Sequence, residues 1–264
     1  MQNQGAFFIL IEGGHVKEAK QKTCAQCETT AVLVDGAFYR RRAYNLLGEK
    51  SPGDRASELV TYCRRHLSSY GDPEPGRLYR IFYYDCPPME GNLYHPLLQR
   101  SINMKTTKTY SWSKEFLSCL ASKRKVAIRL GELQDRESAY RIKRKVVNAL
   151  CRGERTIESL EERDFEPDFV QKGVDMKIGL DIASLAHKGL VTRIVLIAGD
   201  SDFVPAAKHA RREGIDFILD PMWQSIRPSL NEHIDGLHSC VARQPDPAAE
   251  KLHVLHGSEV MVGR

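Results

Sequence analysis

Short runs of apolar residues recur along the chain, and each is closed by a glycine, a proline or an acidic residue. Runs bounded in this way by turn-forming residues are typical of buried strands. The predicted strands are Ala31–Val34, Leu78–Tyr84, Val126–Leu130, Arg193–Ala198 and Ile215–Leu219.

Helix-compatible segments separate these strands. Helices are predicted at Arg55–Ser68, from a cap at Ser111–Ser113 to Ser122, from Gly173 to Lys188, and at Phe203–Glu213. Strands that alternate with helices form a mainly parallel sheet covered by helices on both faces, because each crossover has to return across the sheet. The expected fold class is therefore α/β.

A charge-rich stretch covers residues 135–165. Within it, Ala139, Ile142, Val146 and Ala149 recur at helical spacing, and basic residues fill most of the positions between them. This pattern predicts a charged helical insertion on the surface of the domain.

The domain itself is predicted to span residues 30–240, between an N-terminal extension of residues 1–29 and a C-terminal tail of residues 241–264. The extension holds Cys24 and Cys27. A lone CxxC is a weak zinc signal, because tetrahedral zinc needs four ligands, so a metal role and a plain peripheral extension both stay open. Seven cysteines spread over the chain do not form the pattern of a disulfide framework.

The formal net charge of +5 permits a polyanionic partner without requiring one. The apolar run Ala6–Ile11 is too short for a secretory signal, and no later run approaches a membrane span. No membrane association is therefore expected, and the cytoplasm is the expected location. The sequence leaves the oligomeric state open, and a homodimer is compatible with it.

Three aspartates follow predicted strands directly. Asp35 closes the first strand, and Asp200 with Asp202 closes the strand that begins at Arg193. Ligands of such sheets bind beyond the carboxyl ends of the strands, so we expect these side chains at one edge. Each alone could cap a turn or a helix. Together they would repel one another unless a cation or a proton joins them.

The predicted helix from Gly173 carries two more aspartates. Asp175 and Asp181 fall on opposite shoulders of its apolar stripe, about 120° apart and about 9 Å apart along the axis. One metal ion cannot easily take both directly. Asp175 is the better ligand if the helix starts at the carboxyl edge, whereas Asp181 could serve a second ion, a water or a salt bridge with Lys177.

The expected cofactor is Mg²⁺ or Mn²⁺, with Asp35, Asp175, Asp181 and Asp200 as candidate ligands. Oxygen ligands without a partnered set of histidines or cysteines suit these ions better than zinc. Mg²⁺ bound in this way activates water for attack on phosphorus, so the chemistry expected is phosphodiester hydrolysis.

Three motifs in this order resemble the NYN domain of LabA-like proteins, a family related to PIN nucleases. They are Val34-Asp35-Gly36, the segment Gln171–Asp175 with Asp181 six residues later, and Gly199–Phe203. The resemblance covers roughly residues 30 to 240. It implies a PIN-like three-layer α/β/α sandwich, a catalytic metal site formed by Asp35, Asp175, Asp200 and Asp202, and an RNA substrate.

The chain departs from the resemblance at one place. Many NYN domains carry an asparagine shortly after the first acidic turn, where Ala37, Phe38 and Tyr39 stand here. Such an asparagine could hold a phosphate or a water, so its absence bears on the efficiency of catalysis. Asn45 lies further along the following helix and is the candidate substitute.

Basic residues flank the acidic motifs. Arg40, Arg41, Arg42 and Lys172 are the candidate RNA-binding residues, and the expected RNA is single-stranded. A second stretch mixes cations with rings, as surfaces that bind single strands do. Its members are Lys105, Lys108, Tyr110, Trp112 and Lys114. The alternative is that Trp112 belongs to the core and that the lysines are solvated.

Three functions compete. The first is a metal-dependent ribonuclease with an aspartate-bound ion, and the second is a catalytically weak RNA-binding regulatory module that retains the acidic pocket. The third is an aspartate-based phosphotransferase, which would need a nucleophilic DxD after the first strand. Asp35-Gly36-Ala37 does not supply one.

Overall fold

The computed structural model describes residues 28–68 and 76–242. The strands in this part of the chain are β1 Thr29–Asp35, β2 Arg77–Asp85, β3 Asn92–His95, β4 Arg100–Asn103, β5 Val126–Leu130, β6 Glu132–Ile142, β7 Phe165–Lys172, β8 Arg193–Ile197, β9 Asp216–Asp220 and β10 Gly236–Leu237. Its α-helices are α1 Gly36–Leu47, α2 Pro52–Arg65, α3 Lys108–Ala121, α4 Arg144–Cys151, α5 Val174–His187, α6 Val204–Arg212 and α7 Pro228–Asn231.

The main sheet has six strands in the order β10-β9-β8-β1-β2-β5, and every pairing in it is parallel. All five strands predicted from the apolar runs lie in this sheet. The central strand β1 pairs through Val34 with Ile197 of β8 and through Asp35 with Tyr84 of β2. The carboxyl ends of β1, β2 and β8 therefore meet at one edge of the sheet.

Successive residues of β1 point to opposite faces of the sheet, which divides the core into two layers. Ala31 and Leu33 pack with the buried residues of α5 and α6. Val32 and Val34 pack on the other face with the buried residues of α1, α2 and α3. The predicted three-layer α/β/α architecture is confirmed.

The chain also forms a second sheet, with the strand order β4-β3-β6-β7. This sheet shows where the prediction for residues 135–165 has to be corrected. The predicted helical insertion is wrong over residues 135–142, which belong to strand β6, and helix α4 is confined to Arg144–Cys151. The spacing of Ala139 and Ile142 fitted a helix by coincidence. Antiparallel pairing of β6 with β7 supplies the backbone hydrogen bonds and overrides so weak a periodicity.

The start of α3 also differs from its prediction. The helix begins at Lys108 rather than after Ser111–Ser113, because the Thr107 hydroxyl caps it by accepting a hydrogen bond from the Tyr110 amide at 3.2 Å. A threonine that accepts an amide of the first turn in this way fixes the helix start.

Two further expectations concern the ends of the chain and the membrane. The Cys24 and Cys27 pair lies outside the described residues, and so do most of the predicted extension and tail. The proposed boundaries at residues 30 and 240 stay predictions. Within residues 28–68 and 76–242, no helix is long and apolar enough to cross a membrane.

Candidate functional site

Asp35 stands at the junction of β1 and α1, where it caps the helix by accepting the Phe38 amide at 3.1 Å. The next residue has to be glycine. A Cβ on Gly36 would lie 2.5 Å from the Tyr83 hydroxyl and 2.7 Å from the Tyr84 carbonyl oxygen, distances that no side chain tolerates. The Asp-Gly pair therefore lets α1 start directly against β2.

Asp200 and Asp202 follow β8 in a short 3-10 helix, and Asp200 caps it by accepting the Asp202 amide at 3.2 Å. A glycine again allows a close approach. A Cβ on Gly199 would lie 2.6 Å from the Phe38 ring and 2.8 Å from the Gln224 side-chain amide. The turn after β8 is thus packed against the first turn of α1, which Asp35 caps.

Asp175 lies in the first turn of α5. The turn before it places Gly173 at a φ of 77°, in the left-handed region that glycine adopts readily. Lys177, two residues after Asp175 on the same helix, donates a hydrogen bond from its ammonium group to the carbonyl of Leu130, the last residue of β5. Helix α5 therefore starts at the carboxyl edge of the main sheet, which is the condition that made Asp175 the better ligand candidate.

We call Asp35, Asp175, Asp200 and Asp202 the acidic edge. Burial, followed by the charges of Asp175 and Asp85, raises the pKa of Asp35 to about 6. Partial desolvation, followed by the charges of Asp200 and Asp202, raises the pKa of Asp175. The charge of Asp175 therefore opposes the ionisation of Asp35, and the charges of Asp200 and Asp202 oppose the ionisation of Asp175.

The charge of Arg40 lies near Asp35, but no cation pairs directly with the acidic edge in the part of the chain that the structure describes. Across residues 28–68 and 76–242, no lysine, arginine or histidine forms an ion pair with any carboxylate of the acidic edge. In the same residues, no three or more His, Cys, Asp or Glu side chains lie close enough together to form a ready metal cage. The acidic edge thus gathers negative charge without a closed ligand set.

Asp181 is not brought to the acidic edge with Asp175. Its carboxylate accepts the Tyr84 hydroxyl at 2.7 Å and the Arg129 Nε at 3.3 Å. The salt bridge with Lys177 that the sequence offered is replaced by this contact with Arg129, since Lys177 reaches Leu130 instead. The carboxylate of Asp181 is therefore bound to the Tyr84 hydroxyl and to Arg129, and these contacts join α5 to β2 and β5.

Asp85 is a carboxylate that sequence reasoning missed. It ends β2 beside Asp35 and is almost fully buried. It accepts the Tyr83 hydroxyl and the Cys86 amide, both at 2.8 Å, and forms a salt bridge with Arg40 at 3.1 Å. Its place at the end of a strand is the same signal that singled out Asp35.

The three arginines of α1 point in different directions, because consecutive helical residues are about 100° apart. Arg40 is held by Asp85. Burial opposes the charge of Arg40, but the oxygens of Tyr83, Asp85 and Asp35 raise its pKa. Arg42 donates to the Met222 carbonyl at 3.1 Å, whereas Arg41 is exposed.

Lys172 and Asn45 lie at different distances from the acidic edge. Lys172 is exposed at the end of β7, three residues before Asp175. Asn45 is exposed on α1, ten residues beyond Asp35, which places it about 15 Å away along the helix axis. Asn45 is therefore too far from Asp35 to take the place of the asparagine that many NYN domains carry shortly after the first acidic turn.

Trp112 is half-buried and packs against the core, as the alternative interpretation expected. Its ring stacks on Phe116 of the core with centroids 5.1 Å apart, and its indole nitrogen donates to the Lys50 carbonyl at 3.1 Å. The neighbouring Tyr110 donates to Glu90 at 2.8 Å. The rings of this stretch are therefore fixed in position while part of their surface stays open.

The parallel sheet between two layers of helices is consistent with a PIN-like α/β/α fold, and the comparisons with known proteins agree. The profile of the NYN domain matches residues 102–233, half of the chain, and the chain belongs to this family. The NYN domain is a PIN-like, nuclease-type domain, which supports a nuclease-like, RNA-related function. The match includes Asp175, Asp200 and Asp202 and begins after Asp35.

Solved structures and curated proteins were also compared with this chain. A crystal structure of a protein of unknown function from Vibrio parahaemolyticus RIMD 2210633 is similar at 14% identity, with a TM-score of 0.40. The similarity covers 82% of this chain and 94% of that one. No curated protein matches the sequence.

Proposed function

We propose that this chain is a metal-dependent ribonuclease that hydrolyses phosphodiester bonds of single-stranded RNA at the acidic edge. The observation that carries the proposal is the gathering of four carboxylates, unpaired with any cation of the described residues, at the carboxyl ends of parallel strands. Membership of the NYN family supports RNA as the substrate.

The donor set fits Mg²⁺ or Mn²⁺. It consists of carboxylate oxygens alone, and Mg²⁺ binds through one or two carboxylates while water and substrate oxygens complete its shell. We assign Asp35 and Asp175 to the ion, with Asp200 beside them. When bound, the ion would lower the pKa of a coordinated water and offset the charge that develops on the phosphate oxygens.

The other residues would hold the substrate and the attacking water. Asp202 is exposed at the rim, and its carboxylate can accept a proton from a water and so orient it. Arg40 presents a guanidinium fixed by Asp85 on the flank of Asp35, where it offsets phosphate charge. Arg41 and Lys172 are exposed cations suited to the RNA backbone.

A second candidate is an RNA-binding module that turns over weakly or not at all. Two observations favour it. No ready cage of three ligands exists among the described residues, and the expected asparagine after the first acidic turn is replaced by Ala37–Tyr39. Such a module would bind RNA with an affinity that falls as the salt concentration rises, and it would form no products.

Cleavage of labelled single-stranded RNA separates the two candidates. The purified protein is incubated with Mg²⁺, Mn²⁺ or EDTA beside the Asp35→Asn and Asp200→Asn variants, and products are resolved by length. We expect cleavage that requires the metal and falls by about 10²–10³-fold in both variants, the usual cost of losing one electrostatic group of an active site.

Asp181→Asn is the matched control, since it removes a carboxylate from the same helix as Asp175 but one that Tyr84 and Arg129 already occupy. It should cleave nearly as well as the wild type. Equal trace cleavage by the wild type and all three variants would indicate contamination and would favour the binding module.

A further inference from the structure

An apolar cleft of about 340 Å³ lies beside the acidic edge. It is bounded by the end of β2, the first turns of α3 and the facing strands β6 and β7 of the second sheet. Arg40 and Asp85 form its wall on the side of the main sheet. Asp85 follows Tyr84, which pairs with Asp35 across β1 and β2, so the cleft borders the end of the strand next to Asp35.

The walls of the cleft suit a flat apolar ring with polar edges. Tyr110, Tyr140 and Phe169 supply aromatic surface, and Gln171 supplies an amide that can donate and accept hydrogen bonds. Two of the rings are already held in place. The Tyr110 hydroxyl donates to Glu90 at 2.8 Å, and the Tyr140 ring packs on His95 with centroids 4.7 Å apart.

A cationic cleft of about 440 Å³ lies on the other side of Arg40 and Thr109, which line both cavities. Its walls include Lys50 and Lys108, together with the half-buried Trp112. Arg40 and Arg55 line it as well and are paired with Asp85 and Glu58, and Lys50 shares Glu58. The four basic side chains therefore stand against three acidic ones, Glu49, Glu58 and Asp85. This excess of positive charge favours phosphates, whereas the two charged residues that line the apolar cleft, Arg40 and Asp85, pair with each other.

We propose that the apolar cleft binds one unstacked nucleobase of the RNA, next to the phosphate that is cleaved, while the cationic cleft holds the adjoining phosphates. This inference rests on the proposed function for its substrate class. Arg40 is the wall between the two clefts, and its two contacts of 3.1 Å to Asp85 keep that wall in place. Single-stranded RNA is recognised in this way elsewhere, by bases that stack on aromatic side chains in a positively charged groove.

Thr109→Phe tests the pocket by filling it. Thr109 is exposed in the first turn of α3, so a larger side chain there enters the clefts without removing core contacts. Ser111→Phe is the matched control, because Ser111 is exposed on the same helix and lines neither cleft. Phe169→Leu removes a ring from the apolar cleft alone and keeps an apolar side chain.

Binding is measured in EDTA, which prevents metal-dependent cleavage, with single-stranded RNA that carries 2-aminopurine. We expect Thr109→Phe to weaken binding by about five-fold to a hundred-fold, the contribution of one stacked base, and to abolish the fluorescence change. Phe169→Leu should reduce the fluorescence change, and Ser111→Phe should behave as the wild type. An abasic ribose-phosphate oligomer should bind the wild type and Phe169→Leu equally.

Cleavage in Mg²⁺ is measured separately, so that the two proposals fail in different ways. If the wild type cleaves RNA, and Thr109→Phe and Phe169→Leu bind and cleave as well as it does, the base pocket is overturned and the ribonuclease stands. If no protein cleaves RNA but the fluorescence change still depends on Thr109 and Phe169, the pocket stands and the ribonuclease is overturned.

Discussion

Carboxylates lie at the carboxyl ends of β9 and of β1 in the same sheet, and the protein surrounds them in opposite ways. Asp220, at the end of β9, is fully buried. Its Oδ2 accepts the Tyr62 hydroxyl and lies 2.9 Å from His66 Nε2. Its Oδ1 accepts the Met222 amide and the Ser239 hydroxyl, both at 2.8 Å.

The acidic edge lacks such partners among the described residues. Asp35 and Asp200 accept backbone amides of the turns that they cap, at 3.1 and 3.2 Å, and the charges of Asp175 and Asp85 oppose the ionisation of Asp35. Two carboxylates at equivalent positions in the fold therefore differ. Asp220 is surrounded by hydrogen-bond donors, whereas Asp35 faces the charges of other carboxylates. A position at a strand end therefore does not distinguish the two kinds of carboxylate; the side-chain donors and ion-pair partners around them do.

Of the substitutions that test this difference, we expect Asp220→Asn to change stability most. Asp220→Asn removes the buried charge that His66 and Tyr62 face, and we expect the free energy of unfolding to fall by about 3 kcal/mol. Urea unfolding at pH 7 measures it, with Asp35→Asn as the matched control at another strand end. A loss below about 1 kcal/mol would contradict a stabilising role for Asp220.

Asp35→Asn should have the opposite effect on stability. Because the pKa of Asp35 is raised to about 6 in the folded protein, folding favours its protonated form, and the metal-free protein loses stability as the pH rises from about 4 to 6. Asparagine removes this cost while keeping a side-chain oxygen that can cap α1. In EDTA at pH 8, we expect a gain on the order of 2 kcal/mol.

The gain should shrink as the pH falls below 4, where the wild-type carboxyl is protonated in both states. Asp35→Ala, which loses the cap to the Phe38 amide as well, should be less stable than Asp35→Asn at every pH. Urea unfolding across this pH range distinguishes the variants, and a wild type more stable than Asp35→Asn at pH 8 in EDTA would refute charge repulsion at the acidic edge.

Five of the six parallel strands and the four carboxylates of the acidic edge could be predicted from the sequence because the information is local. An apolar run such as Arg193–Ala198 followed by Gly199-Asp200 indicates both the strand and the acid at its end. The second sheet could not be predicted in this way. Strands β6 and β7 carry charged residues throughout, and their pairing joins segments that are distant in sequence.

Partners of the acids were unpredictable for the same reason. The residues that occupy Asp181 are Tyr84 and Arg129, which are 97 and 52 positions away along the chain. Asp85 was available to the same reasoning as Asp35, since it also ends an apolar run. The two prolines after it also account for the end of the strand, so the local pattern does not single out its carboxylate.

A smaller effect is expected from pH on the buried pair at β9. Burial opposes the charge of His66, but its hydrogen bonds to Asp220 and Cys240 outweigh burial and raise its pKa to about 9. The stability that this pair contributes is therefore complete below pH 6.5 and is lost as the pH rises through about 9. Between pH 7 and 10, thermal unfolding of His66→Gln should depend less on pH than that of the wild type. Equal pH dependence in both proteins would count against a charged His66.

Asp181→Asn should have the smallest effect. The ion pair of Asp181 with Arg129 is partly exposed, and the asparagine of the variant would accept only a weaker hydrogen bond from Tyr84. We therefore expect the free energy of unfolding to fall by about 1 kcal/mol or less. Cleavage should stay within about three-fold of the wild type, by the small energies of such pairs. Thermal unfolding and the RNA assay measure the two quantities. A large loss of cleavage with little loss of stability would return Asp181 to the catalytic site.

Calorimetric titration of Mn²⁺ into the metal-free protein tests the central claim most directly, because the acidic edge gathers carboxylates that form no ion pair with any cation of the described residues. We predict one saturable site in the wild type and in Asp181→Asn, and its loss in Asp35→Asn and Asp175→Asn. Equal binding by all four proteins, or no binding by the wild type, would contradict the account of the acidic edge as a metal site.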